Sequence, residues 1–174
     1  MEQLKMYYVN DGKPACAVTL PEGFRVVRFP DLPDALDKWL DLMQYGLSEK
    51  REDASFYKTC MTDLPTYDER LCFFIAEGDR AAATVTILCD REKKHAVCHM
   101  VACDPAYRGK GLGNALSAIF VSAAKEEGML TASLRTDDWR VPAIKTYLKY
   151  GFTPDLSSDD YKLRWKTILE QIGR

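Results

Sequence analysis

No apolar run in this chain reaches the roughly 18 residues that a membrane-spanning helix needs, so a helical membrane protein is not expected. Neither sign of charge dominates. With 24 Lys and Arg against 26 Asp and Glu and no long block of either, the sequence has no general footprint for nucleic acid or acidic membrane. No C-x-x-C pair occurs among the six cysteines, Cys16, Cys60, Cys72, Cys89, Cys98 and Cys103. Most lie inside apolar runs, which fits small buried hydrophobes in a reducing compartment better than a disulfide framework, and structural zinc is unsupported. The first residues, Met1-Glu2-Gln3-Leu4-Lys5-Met6-Tyr7-Tyr8, lack the basic start and small-residue cleavage site of a secretory signal, so a cytoplasmic location is expected. Repeats, linkers and low-complexity stretches are also missing. At 174 residues, one domain over 1–174 with one well-buried core is expected.

What the chain does contain is a regular succession of strand and helix patterns. Residues 5–9 and 15–20 flank Asn10-Asp11-Gly12-Lys13 and read as a hairpin, and the alternation over 24–29 predicts another strand. Asp31-Leu32-Pro33-Asp34 reads as a helix start, with Leu36, Trp39, Leu40 and Met43 recurring at helical spacing as far as about Tyr45. A shorter helix carries Phe56, Tyr57, Cys60 and Met61. Residues 71–77, 81–89 and 96–103, separated by tight polar turns, predict an antiparallel meander. Leu112, Ala115, Leu116, Ile119, Phe120 and Ala123 form a helical stripe with Gly128 as its C-terminal cap. A strand over 129–134, a helix over 141–150 with Pro142 in its first turn and Gly151 as cap, and a last strand over 161–165 complete the expectation.

The most informative stretch is Arg108-Gly109-Lys110-Gly111-Leu112-Gly113, between the buried run His99-Met100-Val101-Ala102-Cys103 and the helical stripe. Glycines at the mouth of a helix let backbone N–H groups approach an anion, and the positive end of the helix dipole, with Arg108 and Lys110, favours a pyrophosphate. The spacing is neither the Walker pattern nor GxGxxG, because Gly113 is followed by Asn114 and Ala115. It matches Arg/Gln-x-x-Gly-x-Gly. Some thirty residues on, Asp138-Trp139-Arg140-Val141-Pro142-Ala143-Ile144-Lys145-Thr146-Tyr147-Leu148-Lys149-Tyr150-Gly151-Phe152 is similar to Asn-x-x-Ala-x-x-x-Tyr-x-x-x-Gly-Phe, with Ala143, Tyr147, Gly151 and Phe152 in register and Arg140 in place of Asn. By these two motifs the chain resembles the GNAT superfamily of acyl-CoA N-acyltransferases, over a core of about 70–155.

The resemblance implies a single α+β domain: a central, mostly antiparallel mixed sheet, splayed near residues 101–103, with helices on both faces. It implies acetyl-CoA as donor, CoA as product and no metal. The pyrophosphate would bind the backbone of Gly109, Lys110, Gly111, Leu112, Gly113 and Asn114, with Arg108 in support, and the pantetheine arm would pair with Val101, Ala102 and Cys103. The two helices after Pro33 and the loop over 63–70 would border the acceptor. The acceptor would be a small-molecule or peptide primary amine, with a homodimer as one option for assembly.

Tyr147 is the expected proton donor, since a phenol stays protonated at neutral pH yet can donate to a thiolate. His99 is a candidate base, because strand parity with Val97, Val101 and Cys103 would turn it toward the donor. Glu77, the Asp137-Asp138 pair and a water relay are alternatives. Cys103, in an apolar strand without a basic neighbour, is a poor nucleophile, so direct attack in a ternary complex is expected over a ping-pong route. Two other readings stay open: a non-catalytic acyl-CoA-binding or regulatory module, and one half of an enzyme joining cysteine or another amino acid to a thiol precursor.

Overall fold

The central strands are apolar on both faces, so successive side chains enter two different layers. The computed structural model describes residues 2–173 as one α+β domain around a seven-stranded sheet. The strands are β1 (Leu4–Val9), β2 (Phe24–Arg28), β3 (Cys72–Glu77), β4 (Arg80–Asp90), β5 (His95–Cys103), β6 (Thr131–Thr136) and β7 (Thr153–Pro154), in spatial order β2-β3-β4-β5-β6-β1-β7. Every pairing is antiparallel except β5 with β6. The parallel pair requires a crossover, supplied by helix α3 (Leu112–Glu126).

The sheet separates two cores. On one face, Phe73, Ile75, Val85, Ile87 and Leu134 pack with Leu116, Ile119 and Phe120 of α3, Ile144 of α4 (Val141–Lys149), and Tyr161, Trp165 and Ile168 of α5 (Asp159–Gln171). On the other, Cys72, Phe74, Ala76 and Ala102 pack with Trp39, Leu40 and Met43 of α1 (Ala35–Met43) and Tyr57 of the short α2 (Ala54–Tyr57). Trp39 and Tyr57 are buried in an aromatic cluster, with ring centroids 5.0 Å apart in an edge arrangement. Their role is packing.

Two expectations fail, each for a readable reason. Residues 15–20 form no strand: Asn10 does make the turn, its side chain accepting from Gly12 N–H at 3.0 Å, but the chain does not return beside β1. Instead β1 inserts between β6 and β7, burying Leu4, Met6 and Tyr8 on the α3 side. Residues 161–165 lie in helix α5, where Ser158 caps the first turn by accepting from Tyr161 N–H at 3.1 Å and Asp159 and Asp160 favour the positive end. Tyr161, Trp165 and Ile168 recur with helical period on the buried face. Five residues are too short a window to tell that period from a strand.

Candidate functional site

The parallel β5/β6 register runs from His95↔Thr131 to Cys98↔Leu134 and stops, although β5 continues to Cys103. Beyond Cys98 the edge of β5 that faces β6 therefore has no strand partner, which is the splay expected near residues 101–103. Val101 and Cys103 pack on the α3 side and Ala102 on the α1 side.

A bulge at this point changes which way the side chains face. Thr86 pairs with His99 but Thr84 with Ala102, so Met100 and Val101 together oppose the single residue Val85. Met100 takes φ 50°, a conformation that costs a non-glycine residue on the order of 1 kcal/mol or more. The extra residue inverts the alternation. His99 shares its face with Val97 and Ala102, not with Val101 and Cys103, and this corrects the parity argument made from sequence. Its Nε2 lies 2.9 Å from the Cys60 carbonyl oxygen. A carbonyl only accepts, so Nε2 carries the proton and Nδ1 keeps its lone pair. Burial holds the His99 ring below its ordinary imidazole value, the hydrogen bond to Cys60 opposing that shift. Cys60 belongs to a π-helix, Lys58–Thr62, that continues α2.

The glycine loop is open and aimed outward. Gly109 and Gly111 have φ 78° and 81°, and Gly111 caps α3 without any side-chain hydrogen bond to the first turn. A Cβ built on Gly109, Gly111 or Gly113 meets nothing within 4 Å, so the space before the helix is free for an anion. The N–H groups of Asn114 and Ala115 turn back to the Gly111 carbonyl at 3.0 and 3.2 Å, leaving those of Leu112 and Gly113 to face outward. Leu112 contributes backbone alone, since its side chain is buried. Lys110 is folded away, its Nζ 5.2 Å from the Tyr107 ring centroid and 5.5 Å from that of Phe24. Lys149, not anticipated from the sequence, donates to Asn114 Oδ1 at 3.1 Å and brings a second cation to the loop. The donor set suits a pyrophosphate.

Tyr147 sits on α4 against the α3-side core, its ring edge-on to Phe152 at 5.9 Å. Burial pushes its hydroxyl well above the usual phenol range, the nearby Cys98 thiol acts in the same direction, and Arg140 acts against both. It stays protonated at neutral pH. The Cys98 thiol is itself pushed up to about 12 by burial. Burial likewise raises Cys103; Arg108 opposes this, so the strand does have a basic neighbour, contrary to the expectation from sequence, but burial outweighs it and fits a packing role.

The other carboxylates are engaged elsewhere. Glu77 Oε2 accepts from the Tyr107 hydroxyl at 3.2 Å. Asp138 is paired with Arg164 at 2.5 Å and held below the usual carboxylate range by that hydrogen bond, while Asp137 accepts from Arg140 Nε at 2.9 Å. Arg140, which stands where the second motif has Asn, also donates to the Gly46 carbonyl and stacks on Trp139 with its guanidinium carbon 4.5 Å from the ring centroid. One side chain thus ties α4 to the segment after α1.

Comparison with known proteins places this geometry. The sequence profile of the acetyltransferase (GNAT) family matches residues 34–152, starting well before the two motifs. A GCN5-related N-acetyltransferase from Sphaerobacter thermophilus superposes with TM-score 0.70 at 16% identity over 89% of this chain and 50% of that one. The ribosomal-protein-S18-alanine N-acetyltransferase from Escherichia coli superposes with TM-score 0.61 at 19% identity, covering 75% and 77%. A mycothiol acetyltransferase from Segniliparus rotundus is 34% identical over 62 residues, 36% of this chain and 23% of that protein. The chain therefore spans half the length of the Sphaerobacter protein and less of the Segniliparus one. With the family pattern running through both the glycine loop and α4, the chain belongs to the acetyltransferase (GNAT) family.

Proposed function

We propose that the protein is an acetyl-CoA-dependent N-acetyltransferase that moves the acetyl group to a primary amine by direct attack in a ternary complex. The observations that support this are an unpaired β5 edge, an open glycine loop at the N-terminus of α3 that Lys149 of α4 reaches through Asn114, and Tyr147 on that same α4 close enough to Cys98 of β5 to feel its thiol. Acetyl-CoA supplies an activated thioester. The outward N–H groups of the glycine loop hold its pyrophosphate and the free edge at Val101, Ala102 and Cys103 holds its arm. A backbone N–H near Val101 stabilises negative charge on the carbonyl oxygen.

His99 and Tyr147 lie on opposite faces of the sheet beside the splay, an arrangement that suits their two tasks. His99 Nδ1 accepts the amine's proton from the α1 side, and Tyr147 Oη donates a proton to the departing sulfur from the α3 side. The Cys60 carbonyl keeps Nδ1 in its basic form. CoA should raise the melting temperature with concentration, because it binds only the folded chain, whereas pantetheine, which lacks the pyrophosphate, should do so far less. Thiol release from acetyl-CoA in the presence of an amine panel tests the reaction. Equal stabilisation by CoA and pantetheine would overturn the binding mode, and CoA binding with no amine turned over would favour the regulatory module.

A further inference from the structure

Two irregularities of the backbone meet at His99. On β5 it is the bulge with Met100 at φ 50°, which turns His99 to the α1 side, and on the facing segment it is the π-helix over Lys58–Thr62. Each interrupts a regular ladder, and π-turns inside helices gather at functional sites. Their point of contact is the 2.9 Å hydrogen bond from His99 Nε2 to the Cys60 carbonyl oxygen.

That carbonyl is open because every backbone donor within helical reach of it is spent or missing. A helical carbonyl accepts from the amide three, four or five positions on, which for Cys60 means residue 63, 64 or 65. The Asp63 N–H goes back to the Lys58 carbonyl at 2.9 Å, and the Leu64 N–H goes to the Met61 carbonyl at 3.0 Å. Pro65 has no N–H to give. A part-buried carbonyl left without a backbone donor needs another partner, and the imidazole supplies it.

We propose that Pro65 is a positioning residue for His99: with the π-helix it keeps the Cys60 carbonyl open, and that carbonyl holds the ring proton on Nε2 and leaves the lone pair on Nδ1. The use of that lone pair, taking the amine's proton, rests on the acetyltransfer reading above, whereas the placement of the ring proton does not. An amide at position 65 could extend the π ladder by one bond and take the carbonyl for itself. Proline forbids that competitor.

The test is 15N NMR of the ring nitrogens in the full chain at about pH 8, where a histidine is neutral. His95 is the other histidine, so the signals missing from His99→Gln are those of His99. In the wild type the form protonated on Nε2 should dominate, and a dominant Nδ1–H form would overturn the proposal whatever any variant does. Pro65 is exposed, so Pro65→Ala empties no packed site and adds only the amide proton. In that variant the ratio of Nδ1–H to Nε2–H should rise about twofold to tenfold, the worth of one hydrogen bond. Thr66→Gly, which loosens the same turn without adding an amide proton, should leave the ratio alone. An unmoved ratio in Pro65→Ala, or an equal rise in Thr66→Gly, would remove Pro65 from this role. Thiol release with an amine panel should fall in Pro65→Ala in proportion to the share of rings protonated on Nδ1, with KM for acetyl-CoA unchanged. If the ratio moves as expected and no amine is turned over, the positioning of His99 stands and the acetyltransfer reading falls. If amines are turned over and the ratio does not move, the reverse holds.

Discussion

The two sides of the splay are built from different materials. On the side proposed to hold the donor the surface is backbone: a strand edge without a partner and a glycine loop whose amides face outward with no side-chain cap. On the α1 side, proposed to meet the acceptor, the surface is side chains, with His99 held by a π-helix carbonyl. Backbone recognition depends on glycine spacing and helix polarity, and tolerates many side chains around it. Side-chain recognition depends on which residues happen to stand there, and so it can differ between members that share a donor.

The contrast can be broken most severely at Tyr147, the proposed proton donor. Tyr147→Phe keeps the ring and its contact with Phe152 but removes the hydroxyl. Turnover should fall by roughly 10² to 10⁴ while CoA affinity is unchanged. A loss below threefold, with chemistry shown to limit the rate, would reassign Tyr147 to the core and favour a non-catalytic module. On the donor side, Gly111→Glu puts a side chain and a negative charge where an anion should sit, at a residue with φ 81°. At CoA concentrations near 100 times the wild-type Kd, the wild type gains about 2.7 kcal/mol of stability and the variant should gain almost none. Calorimetry showing intact CoA binding in a folded Gly111→Glu protein would refute the cradle.

On the acceptor side the expected effects are smaller and lie in pH profiles. If His99 Nδ1 takes the proton, kcat/KM should show an acidic limb below pH 6.5, because burial lowers the imidazole. His99→Gln should abolish that limb. A limb that moves with the basicity of two different acceptors would instead assign the step to the amine and a water relay. Stability carries the same signature more weakly. The lowered folded value means the unfolded chain takes the proton first, so stability is full above about pH 6.5 and falls below it. His95, whose ring burial also lowers, shares that window, and His99→Gln should remove only part of the loss. Urea melts at pH 5 and 7 on both proteins measure the difference.

How much could be read beforehand follows the same division. The glycine loop, helix α3 and the Tyr147 register were legible because each depends on spacing within a short window. The hairpin over 15–20 was not, because its competitor for β1 is a pair of strands more than a hundred residues away. The face of His99 was not legible, since a β-bulge leaves no mark in an apolar run. Lys149 at the loop and the Arg140 bridge to Gly46 had no signal at all.

The sequence by itself therefore determined the local features: the glycines that open the mouth of a helix, the helix that follows them, and the tyrosine that stands on α4. Those features are local, governed by φ preferences, helix period and the sign of a dipole. The tertiary structure alone decided the order of the strands, the face on which His99 lies and the partners of Arg140. Each of those rests on a contact between distant segments, where cross-strand register and the competition for buried surface outweigh any preference the local residues carry.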